Sequence, residues 1–134
     1  MIVVDTNIIA YLALPTEHTE NAEKLLTIDP EWIAPVLWRS EFRNVLATYL
    51  RKSMISIESA LGIQMEMEDL MRGKEYDVSS LEVLSLVGMC KCSAYDCEFI
   101  ALAQSLESRL VTADVRLQRA FPDDSILLSD LVAT

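Results

Sequence analysis

Ile2-Val3-Val4-Asp5-Thr6-Asn7 is a short apolar run closed by an acid and followed by two polar residues. The run reads as a buried strand, and Thr6 and Asn7 are residue types that cap a following helix. The same rhythm recurs along the chain. Strands are predicted at 32–34, where Pro35 ends the run, and then at 76–78, 110–112 and 126–128. Helical spacing of apolar residues predicts helices over 18–28, 36–52, 57–71, 81–89, 94–106 and 115–121, with Gly73 closing the 57–71 helix. Alternating strands and helices imply an α/β fold with a central, mostly parallel sheet of four to five strands flanked by helices. Such sheets bind ligands at the carboxyl ends of their strands, which is where Asp5 stands.

Composition narrows the class. The 134 residues are enough for one full hydrophobic core, half of them are apolar, and only three are Gly. No repeat or low-complexity tract divides the chain. The longest apolar stretch, near residues 8–14, is far too short to span a bilayer, and nothing resembles a signal peptide, so the expected location is cytoplasmic and no membrane is expected as a partner. Three cysteines (Cys90, Cys92, Cys97) leave at least one unpaired, which fits a reducing compartment and buried thiols better than a soft-metal site. The sole histidine, His18, is read as a solvated surface residue. The net charge of −10 excludes indiscriminate coating of nucleic acid, which rests on phosphate neutralisation by Lys and Arg.

Four acids occupy costly positions. Asp5 closes the first apolar run, and Asp114 follows Leu110-Val111-Thr112-Ala113. Glu41 shares a helix face with Leu37 and Val45, and Asp96 with Phe99, Ile100 and Ala103. Carboxylates set against apolar neighbours are unfavourable unless a cation or strong hydrogen bonds compensate. Singly, each acid also reads as a helix cap or a first-turn acid favoured by the helix dipole. Together they suggest a divalent-metal site of oxygen ligands, of the kind that hydrolyses phosphodiesters. Hard carboxylate oxygens suit Mg²⁺ or Mn²⁺, one ion or two, and no His/Cys set competes for zinc.

The ordered set Val4-Asp5-Thr6-Asn7, Ser40-Glu41-Phe42-Arg43-Asn44-Val45-Leu46, Tyr95-Asp96-Cys97-Glu98-Phe99-Ile100-Ala101-Leu102-Ala103 and Leu110-Val111-Thr112-Ala113-Asp114 resembles the PIN domain, a family of metal-dependent ribonucleases. Within that family the chain looks most like the VapC toxins of toxin–antitoxin pairs. The resemblance implies one PIN-like domain over residues 1–134 and an RNA endonuclease. It implies Asp5, Glu41, Asp96 and Asp114 as the catalytic, metal-binding quartet, with Asp5 and Asp96 the surest direct ligands. It implies Thr112 as the residue that orients Asp5, and Asn7 and Asn44 as supporting polar groups. It also implies a homodimer and a cognate antitoxin.

Other features are read more plainly. Arg39, Arg43, Arg51, Lys52, Arg116 and Arg119 are ordinary helix-surface charges, of which Arg43 and Arg116 are the best candidates for gripping a substrate phosphate because each lies close in sequence to a quartet acid. Met54, Met65, Met67, Met71, Ile57, Leu61 and Leu70 make the middle of the chain apolar, as core or as a groove for a partner. Glu98, Asp123, Asp124 and Asp130 are weaker candidates for the site. The competing functions are a non-catalytic PIN-like interaction module and a phospho-acceptor receiver domain. The receiver domain wants adjacent acids after the first strand and a late Lys, whereas this chain has Asp-Thr-Asn there and no Lys after Lys91.

Overall fold

The computed structural model describes residues 1–133, and Thr134, the last residue of the expected domain, lies outside them. In chain order the elements are β1 (Ile2–Val4), α1 (Thr6–Ala13), α2 (Thr19–Ile28), β2 (Trp32–Pro35), α3 (Trp38–Arg51), α4 (Ile57–Leu70), β3 (Glu75–Tyr76), α5 (Ser80–Val87), α6 (Ala94–Ser105), β4 (Leu110–Thr112), α7 (Val115–Ala120), β5 (Ser125–Leu127) and α8 (Leu128–Val132). The strands make one five-stranded sheet in the order β3-β2-β1-β4-β5, and every neighbouring pair is parallel. The expected α/β fold with a sheet flanked by helices is the observed one.

That strand order places the site. The chain moves outward from β1 through β2 to β3, then returns to the other side of β1 for β4 and β5. The direction of winding therefore reverses between β1 and β4, and a crevice opens there beyond the strands' carboxyl ends. Val4 pairs with Val111, and the Asp5 amide donates to the Val111 carbonyl at 2.9 Å. The register thus carries Asp5 to the side of Thr112.

Three readings need correction. Ser125 rather than Ile126 begins the last strand, and Leu128, expected to end it, starts the short helix α8. The edge strand β3 pairs Glu75 and Tyr76 with Ala34 and Pro35, so it lies earlier than the expected 76–78. Thr6 opens α1 instead of capping it, and Asp5 is the cap, accepting from the Thr6 amide at 2.8 Å.

Helix α3 shows how one helix serves both core and site. Its buried stripe is Trp38, Phe42 and Leu46, spaced by four and pressed into the core. Leu37, Glu41 and Val45 form a second stripe one residue earlier, which lines the crevice instead. Glu41 does share a face with Leu37 and Val45, but that face meets the site and not the centre of the core. On α6 the apolar positions Phe99, Ile100 and Ala103 are buried, and Ser93 caps the helix by accepting from the Asp96 amide at 3.1 Å. That cap fixes Asp96 in the first turn.

Candidate active site

A cleft of about 650 Å³ opens at the carboxyl edge of the sheet, lined by Asp5, Thr6, Asn7, Leu37, Ser40, Glu41, Asn44, Val45, Tyr95, Asp96 and Asp114. All four singled-out acids are there, from β1, α3, α6 and the loop after β4. Asn7 and Asn44 are there too. Among the described residues, no Lys or Arg lines the cleft. A depression of similar size at the amino ends of the strands, around Met1, Gln104, Arg109 and Asp124, contains none of the four acids.

Three of the four acids are held by protein donors. Asp5 Oδ1 accepts from the Thr6 amide at 2.8 Å, and Oδ2 from Thr112 Oγ1 at 2.7 Å. Glu41 Oε1 accepts from Thr6 Oγ1 at 2.7 Å. Asp114 Oδ1 caps α7, accepting from the amides of Arg116 at 2.9 Å and Leu117 at 3.1 Å. Asp5 and Asp114 are therefore each a helix cap, and each also lines the cleft. Among the described residues no three His, Cys, Asp or Glu side chains stand ready-made to enclose an ion. The hydrogen bonds give the physical reason, since they turn one or both oxygens of three acids toward the protein.

Electrostatics show the strain of this crowding. Burial pushes the Asp5 carboxyl from 3.8 up to about 6; the Thr112 and Thr6 hydrogen bonds oppose the rise, and the charges of Glu41 and Asp96 add to it. Glu41 is also raised, first by burial and then by Asp96, against the hydrogen bond from Thr6. Among the described residues Asn7 Oδ1 is a buried acceptor with no hydrogen-bond partner, on a residue that lines the cleft. Hard oxygen donors, mutual repulsion, an orphaned buried acceptor and no basic side chain together fit a site for a hard divalent cation.

Not every expected residue is brought in. Arg43 is exposed, its guanidinium 4.0 Å from Glu68, and neither it nor Arg116 lines the cleft. Arg39 is committed elsewhere: its Nε and Nη2 hold Glu75 at 2.6 and 2.7 Å. Glu98 lies in a separate depression with Val78, Ser80, Val83 and Leu84, and burial and then the Glu41 charge raise its carboxyl. Cys97 is buried and Cys90 and Cys92 half-buried. Burial, and then Cys90, push the Cys92 and Cys97 thiols up to about 12, so they stay protonated and inert. The apolar middle of the chain divides: Met67 and Met71 are core, while Met54, Ile57, Leu61 and Met65 stand exposed.

Sequence reasoning missed two contributors. Thr6, whose residue type and position suggest only a helix cap, donates to two of the four acids, through its amide and its hydroxyl. Tyr95 lines the cleft although exposed, and its only signal was adjacency to Asp96.

Comparison with known proteins agrees with this fold. The PIN domain profile matches residues 2–121. A protein from Pyrobaculum aerophilum named Ribonuclease VapC3 is 28% identical over 125 residues, covering 90% of this chain and 95% of the relative. Among solved structures, PAE2754 from Pyrobaculum aerophilum superposes with a TM-score of 0.73 at 20% identity, covering 98% of this chain and 93% of the other. FitAcB from Neisseria gonorrhoeae gives 0.74 at 17% identity, covering 94% and 96%. At these identities the structural likeness concerns the fold.

Proposed function

The chain belongs to the PIN domain family, and from that premise we propose that it is a Mg²⁺- or Mn²⁺-dependent endoribonuclease, the toxin of a VapC-type toxin–antitoxin pair, acting as one domain over residues 1–134. One observation carries the reading: four carboxylates share a cleft that, among the described residues, no Lys or Arg lines. A clustered negative charge of that kind is stable only when protonated or when it meets a cation. The name of the Pyrobaculum relative, Ribonuclease VapC3, supports RNA as the substrate.

Each residue has a part in this proposal. Asp5 and Asp96 hold the ion directly, and Asp96 is free to do so because among the described residues no donor engages its carboxylate. Glu41 and Asp114 complete the set, binding a second ion, holding water or moving a proton. Thr112 and Thr6 aim Asp5 and Glu41, and Asn7 and Asn44 supply polar contacts to water or ribose. A bound divalent ion would orient the scissile phosphate, stabilise charge on its oxygens and make water a stronger nucleophile. Because the protein surface is acidic, phosphate affinity rests on the ion, with Arg43 and Arg116 steering the flanking strand.

The exposed stripe of Ile57, Leu61 and Met65 on α4, extended by Met54, is the face assigned to a second copy of the chain or to an antitoxin helix. Cleavage of a tRNA and rRNA panel by chelator-treated protein, with Mg²⁺ or Mn²⁺ restored, tests the enzyme. Metal-dependent cutting that Asp5→Asn abolishes is the expected result, and metal-independent or absent cutting refutes it.

A further inference from the structure

Beside the cleft lies a small cavity of about 130 Å³, lined by Tyr11, His18, Asn21, Ala113, Val115, Leu127, Leu128 and Ser129. Its lining comes from α1, α2 and its cap His18, the loop after β4, the start of α7, the end of β5 and α8, and contains none of the four acids. Two relations join it to the cleft. Asn7 faces the cleft and Tyr11, four residues further along α1, faces the cavity, so the two positions lie on one helix face about 5–6 Å apart. On the opposite wall Asp114 faces the cleft while its neighbours Ala113 and Val115 face the cavity. Burial, and then the charges of Asp5 and Glu17, raise the Tyr11 phenol, which places Tyr11 within reach of the acid cluster's field.

The lining has the character of a flat-ring site. Tyr11 and His18 form a tilted stack with centroids 4.6 Å apart; the His18 side chain remains 46% exposed, with its Nε2 3.3 Å from Glu17 Oε1. Ala113, Val115, Leu127 and Leu128 supply an apolar wall. Among the described residues the side chains of Asn21 and Ser129 make no hydrogen bond, so two polar groups on this wall are uncommitted. A cavity far below the ~300–1,000 Å³ of drug-sized sites takes one ring system and not a whole nucleotide.

We propose that this cavity is a nucleobase subsite: it seats one unpaired base of single-stranded RNA next to the scissile phosphate, by stacking on the Tyr11–His18 pair and hydrogen bonding to Asn21 and Ser129. The inference rests on the ribonuclease reading for its biological ligand. Its chemistry is that of single-strand recognition, in which an aromatic face takes the base and amide or hydroxyl groups read its edge. The surrounding acids do not oppose it, because a neutral base carries no charge into their field.

Two measurements test it. Cleavage of a randomised single-stranded RNA in Mn²⁺, read by sequencing of the product ends, should show a base preference at one position flanking the cut. His18→Ala and Asn21→Ala should each reduce that preference ratio, by about tenfold where the stack is lost. A parent enzyme that cuts with a preference untouched by both variants overturns the subsite and leaves the nuclease reading standing. Should the parent not cut at all, the nuclease reading fails, and the second measurement still judges the cavity. In that titration the four nucleoside monophosphates are added to ¹⁵N-labelled protein. Saturable shifts of the Asn21 side-chain amide and the Val115 backbone amide support the subsite. Shifts absent there, or confined to other surfaces, overturn it.

Discussion

Thr112 Oγ1 donates a 2.7 Å hydrogen bond to Asp5 Oδ2, although 107 residues separate the two in sequence. The same hydroxyl accepts from the Asp114 amide at 3.0 Å. One fully buried side chain therefore ties the ends of β1 and β4 together where two of the four acids stand. The parallel register makes this possible, since the pairing of Val4 with Val111 puts the next residues side by side.

Thr112→Val removes the donor while keeping the shape. The Thr112 hydrogen bond lowers the Asp5 pKa, so without it Asp5 should titrate above about 6. The acid limb of the pH–rate profile should move to higher pH, and stability at neutral pH should drop by ~1.5–3 kcal/mol for a lost bond to a charged group. An unmoved limb at full rate would show that Thr112 does not orient Asp5.

Asp5→Asn should abolish cleavage yet stabilise the metal-free protein. The Asp5 carboxyl is raised from 3.8 to about 6 on folding, so its favourable contribution is full below about 3.8 and is lost as pH rises through about 6. Above pH 6 the variant escapes that loss, by up to about 3 kcal/mol at 1.36 kcal/mol per pKa unit. The Asn amide gives back part of this gain where it meets Thr112. Urea titrations of both proteins in chelator at pH 4 and pH 7.5 would separate the terms: the variant's advantage must grow with pH.

Saturating Mn²⁺ or Mg²⁺ should raise the melting temperature of the parent chain. A hundredfold excess over the dissociation constant is worth ~2.7 kcal/mol by linkage. The gain should shrink in Asp96→Asn, which removes an acid with no protein donor. An equal rise in both proteins would place the ion elsewhere.

Glu75 works with the opposite sign. Hydrogen bonds from Arg39 hold its carboxyl below the usual carboxylate range, against burial, and Trp38 Nε1 adds a further bond of 2.7 Å. Its contribution is present above about 4.5 and is lost as pH falls through its lowered pKa. Glu75→Gln should cost ~1.5–3 kcal/mol at pH 7 by loosening the two-residue edge strand β3 from α3. The difference from the parent should narrow at low pH, as measured by denaturant titration.

The sequence carried the fold because period and punctuation agreed over most of it: 110–112 is a strand as predicted, and α6 departs from its prediction by one residue. It failed where an apolar run was too short for its period to be told. Residues 126–128 fit a strand or the start of a helix equally well, and Leu128 in fact opens α8. Of the cleft, the four acids were legible from the apolar runs and helix stripes they interrupt. Their partners were not. Thr6 reaches Glu41 across 35 residues, and Arg39 is taken by Glu75 across 36, distances at which one sequence carries no pairing signal. The Tyr11–His18 stack spans only seven residues, but a lone histidine carries no sign of its ring partner; His18 is exposed as expected and also lines the cavity beside the cleft.

The central claim is that Asp5, Glu41, Asp96 and Asp114 hold a divalent ion. Crystals of the full chain grown with Mn²⁺ and measured at a wavelength where manganese scatters anomalously test it most directly. The predicted result is an anomalous peak bounded by oxygens of Asp5 and Asp96, with Glu41 or Asp114 turned from its protein donor toward the ion or a second one. A cleft without a peak at saturating Mn²⁺, its acids still bonded to Thr6, Thr112 and the amides of α7, would contradict the account.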